Sequence, residues 1–445
     1  MPANMPRVPA ANLQHQGVTA RSPYTAPGTS RPVPGAANYH SPASTAESHA
    51  ISEASVRYYE SQNRANFANS GEARMTNGGV MRTRADGSRA EIHDAQHGVD
   101  IHYGANGSRR IMTERADHSR IFAEHGSGYV QHPYMYRGQE LAHRTYWEHG
   151  HEFAHFYSPT VYHGVPLQVY APTRFYSAGY YGWMYSRWPA SVHYTWGWAG
   201  RPWYVSYHHY FAVYPVYDDA TYWLTDYLIA TSLEAAYAAQ IRAQMAEGDA
   251  AVMSPEVKGE IEEEIKAELQ QEATAAKANA ADPQGLPDNG GISNTLTDGY
   301  SHVFLAGGNV DAANGSGDEC TISAGDVVQV RAAPAPGAQA VNATVLASKG
   351  GSECATGSMV RVNVSDLQEM QNYMHQIVDQ GVEDLQAHQG TGNLPAPPAT
   401  AQGTAVSAGF AVGAPPPDAD AQAQINAQAA IADQVEKSAV VANAQ

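Results

Sequence analysis

The sequence predicts a mainly β protein of the α+β class, with long helices connecting two β-rich regions. Three observations support this prediction. Short alternating strands separated by turn residues fill the first half of the chain, long stretches of helical periodicity follow, and a second set of alternating strands comes after them. Both ends of the chain are rich in Pro and Ala.

The two ends of the chain are predicted to be mostly disordered. Residues 1–55 have almost no periodic apolar pattern, so they can bury too little surface to offset the entropy of ordering. The rest of this region, up to residue 77, has the spacing of one short helix in "SEASVRYYESQNRANFA". Residues 389–445 form a low-complexity tail of similar composition. Within that tail, an Ala- and Gln-rich helix is predicted over residues 418–441.

A β-meander is predicted to begin at residue 78. The runs "RAEIHD", "VDIHYG", "RRIMTER" and "RIFAEHG" alternate between apolar and polar residues, as half-buried strands do. The segments "ADGSR", "ANGSR" and "ADHSR" separate them, and Asp-Gly and Asn-Gly are strong hairpin signals because their turn needs positive φ angles. Residues 78–219 are therefore assigned to this hairpin series and an aromatic-rich β module.

The aromatic-rich segment, residues 156–223, contains 23 Phe, Tyr or Trp residues among 68. These rings could pack on one another as a core, through offset and edge-to-face contacts. Alternatively, some of them form an exposed platform that binds a glycan or a partner protein. The residues proposed for that platform are Tyr194, Trp196, Trp198, Trp203 and Tyr204.

One motif suggests an enzyme. Residues His151, Glu152 and His155 form H-E-x-x-H, which on a helix holds zinc between two histidines and uses the glutamate as general base. However, "GQELAH", beginning at Gly138, repeats the frame of "GHEFAH", beginning at Gly150, without the first histidine. We therefore predict a strand at residues 151–155 and no metal, with a zinc-dependent hydrolase as the alternative.

Residues 220–298 are predicted to be a helical connector. One long helix begins near Ala220, and a second begins after the N-cap Ser254 and continues to a linker at 273–298. An apolar stripe repeats every fourth residue along the second helix, which predicts a docking face or a coiled-coil seam.

The net charge is about +1 for residues 1–245 and about −19 for residues 246–445. We attribute this acidity to a solvated acidic helix and to linkers.

Residues 299–388 alternate again and predict a small β-barrel or sandwich followed by a helix. Both cysteines of the chain, Cys320 and Cys354, lie in this region. We predict that they form a disulfide, which implies an oxidising compartment.

Several classes of function are not supported by the sequence. No apolar run is long enough to cross a bilayer, and the basic residues form no stripe for nucleic acid. No phosphate-binding glycine loop or other cofactor fingerprint occurs, so no cofactor is expected. The first residues lack the pattern of a signal peptide, so we expect any export signal to lie outside this sequence.

The segments "GYVQHPYMYRG", "YTWGWAGRPWY", "YWLTDYLIA", "SPEVKGEIEEEIK" and "VLASKGGSEC", with the "DGSR"-type hairpins, resemble a family of uncharacterised bacterial exported proteins. The resemblance covers roughly residues 78–390. It implies export and the same order of domains, but no established activity. The hairpin segment also resembles, with low specificity, the tyrosine- and glycine-containing repeats of bacterial surface shells.

These observations favour a non-enzymatic, extracytoplasmic protein that has a structural or binding role in the cell envelope. Its expected partner is a wall polysaccharide or an envelope protein. Besides the zinc-dependent hydrolase, a periplasmic assembly or chaperone-like factor that acts through the acidic helix is an alternative.

Overall fold

A computed structural model describes residues 71–443, apart from 77, 125–126, 149, 244–251, 287–290, 336, 351–352 and 402–404. The predicted mainly β, α+β class is confirmed: the described residues contain a ten-stranded sheet, a six-stranded sheet and several long helices. The disorder predicted for residues 1–77 is wrong at its end, because Gly71–Arg74 form a strand that pairs with Val80–Thr83. Residues 1–70 lie outside the described residues.

The ten-stranded sheet is antiparallel, and its strands lie side by side in chain order, as expected for a meander. Its strands are β1 Gly71–Arg74, β2 Val80–Thr83, β3 Arg89–Asp94, β4 Val99–Tyr103, β5 Arg109–Glu114, β6 Arg120–Glu124, β7 Ser127–Tyr136, β8 Gln139–Glu148, β9 His151–Tyr162 and β10 Val165–Ala171. Alternate residues of β3 to β6 are buried, so one face of the sheet is apolar.

The hairpin turns after β2, β4 and β5 are built alike. In each turn an Asp or Asn side chain accepts a hydrogen bond from the backbone N–H of the serine two residues later, at 2.8–3.0 Å. Only the following residue, Gly87, Gly107 or His118, has a positive φ. The prediction that both central residues need positive φ is therefore wrong. A type I turn followed by one left-handed residue joins these strands.

The second part of the aromatic segment is not a β module, and that prediction is corrected. After β11 (Arg174–Phe175) come two short helices, α1 (Ala178–Met184) and α2 (Pro202–Tyr207). Ser177 begins α1 by accepting a hydrogen bond from the backbone N–H of Tyr180, and a proline occupies the first position of α2. These local helix-start signals outweigh the general preference of aromatic residues for strands.

The helical connector is confirmed in its main elements. Helix α3 spans Ala220–Ala243, and α4 spans Pro255–Ala281 with the Ser254 hydroxyl as its N-cap. The segment predicted as a linker begins inside α4 and later forms the short helix α5, Gly291–Thr295. Within the described part of the chain, no helix combines the length and apolar character needed to cross a membrane.

The C-terminal β region is one open antiparallel sheet rather than a closed barrel. Its strands are β12 His302–Leu305, β13 Val310–Asn314, β14 Glu319–Ile322, β15 Val327–Val330, β16 Ala340–Ala347 and β17 Met359–Asn363, in the spatial order β12-β15-β16-β17-β13-β14. The predicted helix follows as α6, Val364–His388. The start of α6, α5 and the β9–β10 hairpin contribute apolar residues to the core of this sheet. These elements shield the apolar core, so strand closure is not needed to bury it.

The C-terminal segment is more ordered than its composition predicts. Strand β18 (Val406–Ser407) pairs with β11, and helix α7 (Gly409–Val412) follows. The helix predicted over residues 418–441 is confirmed as α8, Ala421–Asn443. Its residues Ile425 and Val435 share a core with the apolar face of the meander. The tail is ordered because that face would otherwise be exposed to water.

Candidate functional site

The five predicted platform residues lie in and around α2, and they differ in exposure. Trp196 and Trp203 are buried, with 7% and 4% of their surfaces exposed, and both belong to the main hydrophobic core. Tyr194, Trp198 and Tyr204 are half-buried and pack against that core. This burial favours the packed-core interpretation for Trp196 and Trp203. Only the half-buried rings could contact a ligand.

Trp198 is the outermost member of a stack of four rings. Its ring centroid lies 4.0 Å from that of Trp196, with an angle of 20° between the planes. Trp196 stacks in turn on Trp223 at 4.8 Å, and Trp223 stacks on Tyr227 at 5.3 Å. Since Trp223 and Tyr227 belong to α3, the stack anchors the 194–204 segment to that helix. Trp198 is therefore held in a defined orientation.

A buried polar network extends from the same stack. The Trp196 Nε1–H donates to the Tyr217 hydroxyl at 2.6 Å, and that hydroxyl donates to Asp226 Oδ2 at 2.8 Å. Lys258 Nζ lies 2.6 Å from Asp226 Oδ1 and also donates to the Ala212 carbonyl at 2.8 Å. Burial raises the pKa of Asp226 and lowers the pKa of Lys258. The ion pair thus joins α3 to α4 in the interior.

Sequence reasoning did not identify Asp226 or Lys258 as important. In the sequence, Asp226 is a charge that interrupts the apolar run "YWLTDYLIA". An acidic residue within a strongly apolar helix is a usable signal, because a buried carboxylate requires a partner. Its partner Lys258 lies on another helix, so sequence spacing does not reveal it.

The H-E-x-x-H motif lies on β9, as predicted. His151 pairs with Glu148, and His155 pairs with Arg144, in a regular antiparallel register with β8. Residues four apart on a strand are separated by roughly 13 Å, whereas zinc requires both nitrogens at about 2.0–2.1 Å. Burial lowers the pKa of His155 to about 4. Among the described residues, no group of three or more His, Cys, Asp or Glu could hold a metal ion.

The prediction that α4 is a solvated acidic helix is wrong. Its residues Glu262, Glu268 and Glu272 are all buried, with about 5% of each exposed. Helix α4 packs against α1 and α3. This packing completely buries its apolar stripe, which consists of Ile261, Ile265 and Leu269. The docking face was therefore predicted correctly, but its partner is this same chain. Part of the acidic surface of α4 stays accessible, since 74% of the Glu263 side chain is exposed.

Two of these glutamates form an interior carboxyl cluster with Asp379 of α6. Glu268 Oε2 lies 3.9 Å from His375 Nε2, beyond hydrogen-bond distance, and its oxygens have no hydrogen-bond partner within the described residues. The Tyr170 hydroxyl donates to Asp379 Oδ2 at 2.8 Å. Burial, together with the neighbouring Asp379 carboxyl, raises the pKa of Glu268 and of Glu272 well above the usual value. Burial also raises the pKa of Asp379 to about 6.

This cluster makes stability depend on pH. The neutral forms of Glu268 and Glu272 stabilise the folded chain fully below the unfolded pKa of about 4.3, and this contribution is lost as pH rises through the folded pKa. Burial lowers the pKa of His375 to about 4, so its contribution acts oppositely and is lost as pH falls below about 6.5. Above that pH, His375 no longer changes the free energy of unfolding. The remaining pH dependence is the loss of stability that comes from ionising Glu268 and Glu272.

We therefore expect the free energy of unfolding to decrease as the pH rises above about 6.5. The variant Glu268→Gln/Glu272→Gln should be more stable than the parent at about pH 9, by about 1–3 kcal/mol, because no charge has to be buried. Urea unfolding at several pH values measures this. Glu263→Gln, on the same helix but with 74% of its side chain exposed, is the matched control and should retain the parental slope. An equal slope in all three proteins would contradict the prediction.

The predicted disulfide is confirmed. Cys320 of β14 and Cys354 are joined, with an S–S distance of 2.07 Å, and Cys354 is almost completely buried in the core of the six-stranded sheet. The described residues contain no free cysteine.

Comparisons with protein-family models, with curated proteins and with solved structures found no match. The functional argument therefore depends on the geometry of this chain alone.

Proposed function

We propose that this protein is a non-enzymatic structural and binding protein of an extracytoplasmic compartment. The observation that supports it is the use of buried charged side chains as links between elements. Arg144 of β8 makes a bidentate pair with Glu369 of α6, at 2.9 and 3.0 Å, and Lys258 of α4 pairs with Asp226 of α3. These four charged side chains are thus engaged in holding the fold together.

The extracytoplasmic location is supported by the buried Cys320–Cys354 disulfide, since such bonds persist in oxidising compartments. Cell fractionation followed by non-reducing peptide mapping tests this part. The protein should be recovered outside the cytoplasm with the two cysteine peptides linked. Recovery in the cytoplasm with two free thiols would overturn the proposed location and, with it, the resemblance to exported proteins.

The binding surface that we propose consists of Trp198 and Tyr204, with the exposed Val205, which follows Tyr204 in the chain. Trp198 is backed by Trp196 on one face, and Val205 is 58% exposed. An indole that is held rigid by a stack loses little entropy when it contacts a ligand. We propose wall polysaccharide as that ligand, because a fixed aromatic ring can pack against the apolar face of a sugar.

Replacing Trp198 with Ala should reduce retention of the protein on insoluble peptidoglycan at least about tenfold. A tenfold change corresponds to about 1.4 kcal/mol of binding free energy. Tyr300→Ala is the control, since Tyr300 is 76% exposed but does not belong to the proposed surface, and it should leave retention unchanged. Near-ultraviolet circular dichroism checks that the remaining stack stays folded. Equal retention of the parent and Trp198→Ala would exclude this surface as the polysaccharide site.

A further inference from the structure

Three charged side chains meet beside the disulfide, where strands β15 and β16 lie next to each other. Asp326 immediately precedes β15, and Lys349 follows β16 by two residues. Because Val327 pairs with Ala347 in the antiparallel register, the two side chains come from neighbouring strand ends. Glu353 precedes Cys354, so the disulfide holds it close to the same point.

The three groups are in direct contact and shielded from water. Lys349 Nζ lies 2.6 Å from Asp326 Oδ1 and 3.4 Å from Glu353 Oε1. The exposed fractions of the side chains are 4% for Lys349, 1% for Asp326 and 8% for Glu353. The Ser348 hydroxyl donates to Glu353 Oε2 at 3.2 Å, and the Ser323 hydroxyl donates to Glu353 Oε1. One ammonium group therefore faces two carboxyl groups in the protein interior.

This environment favours the neutral form of Asp326. In water, a lysine and an aspartate are both ionised at neutral pH and do not condense. In a dry interior, ionised groups are strongly disfavoured relative to neutral ones. Burial raises the pKa of Asp326 to about 7, and the nearby Glu353 carboxylate contributes to this increase. Asp326 can thus carry a proton while Glu353 remains available to accept one from the lysine.

We propose that Lys349 and Asp326 form an intramolecular isopeptide bond, with Glu353 as the proton-transfer group. Glu353 removes a proton from the ammonium, and the neutral Nζ attacks Cγ of the protonated Asp326 carboxyl. The bond between Nζ and Cγ forms, and the bond between Cγ and the hydroxyl oxygen breaks. Glu353 returns a proton to the departing hydroxyl and takes the second amine proton, so one water leaves. No oxidant or cofactor is required.

The bond would join the adjacent ends of β15 and β16, next to the disulfide that already anchors β14. Two covalent links would then secure one side of the six-stranded sheet. This inference is independent of the proposed location and ligand, since it depends only on the three side chains and the folded sheet.

Mass spectrometry of the full-length protein tests the proposal. The intact mass should be lower, by one water molecule, than the mass of the sequence with its disulfide. After reduction and proteolysis, the peptides that contain Asp326 and Lys349 should be recovered as one branched species. An intact mass that matches the unmodified sequence, with the two peptides recovered separately, would overturn the proposal.

Two variants separate the chemistry from folding. Glu353→Gln keeps the Lys349–Asp326 pair but cannot transfer the protons. This variant should therefore fold, and its intact mass should be that of the chain without the isopeptide bond. Lys349→Arg keeps a positive charge but should also show the unreacted mass. A branched peptide that persists in Glu353→Gln would contradict the role of Glu353.

The Lys258–Asp226 pair is an internal control in the same digest. Its Nζ–Oδ1 distance is also 2.6 Å, but the second short contact of Lys258 Nζ is the Ala212 carbonyl rather than a carboxylate. We expect the peptides of this pair to remain separate. A branched peptide at Lys258 would show that the bond can form without a second carboxylate beside the lysine. That result would overturn the proposed mechanism.

Discussion

Replacing Lys258 with Met should destabilise the protein by about 3–5 kcal/mol, because it leaves the Asp226 carboxylate buried without a cation. Asp226 is completely buried, and no solvent can compensate for the lost ammonium. The change should appear as a lower midpoint in urea unfolding, followed by both far-ultraviolet circular dichroism and tryptophan fluorescence. The fluorescence change should be pronounced, since Trp196 is connected to Asp226 through the Tyr217 hydroxyl.

Two further variants test the cause of this loss. Lys258→Met/Asp226→Asn should recover most of the stability, because the amide is neutral and still accepts the hydrogen bond from Tyr217. Arg187→Ala removes a surface pair with Asp218 in which the arginine side chain is 77% exposed, and it should cost about 0–1 kcal/mol. Equally small effects of Lys258→Met and Arg187→Ala would contradict the prediction. They would show that Lys258 does not stabilise the buried carboxylate of Asp226.

Removing the disulfide should lower the free energy of unfolding by about 3–4 kcal/mol in the chain-entropy model. The relevant variant is Cys320→Ala/Cys354→Ala, and the two positions are 34 apart in the sequence. The expected signature is a lower urea midpoint, because the unfolded chain gains conformational freedom. Wild-type protein unfolded in the presence of a reductant is the matched control and should shift by a similar amount. An unchanged midpoint in the double variant would show that the bond contributes little to stability.

The sequence by itself determined the elements whose signals are local. Alternation and turn residues predict the meander, and Ser254 followed by Pro255 marks the start of α4 because these residues satisfy or remove helix-end donors. The repeated frame around "GHEFAH" placed His151 and His155 on a strand, which excluded the helical zinc geometry. The cysteine pairing was also predictable, because the chain contains only two cysteines and both lie in one small β region.

Only the tertiary structure decided which side chains are buried and what they contact. Composition suggests that the glutamates of α4 are solvated, but packing against α1, α3 and α6 encloses Glu268 and Glu272 and changes their protonation. Helix α8 is ordered by the apolar face of a sheet that lies some 300 residues earlier in the chain. Likewise, Asp326, Lys349 and Glu353 come into contact only where two strand ends meet. Burial and long-range proximity depend on the whole fold, whereas periodicity and capping are properties of a few neighbouring residues.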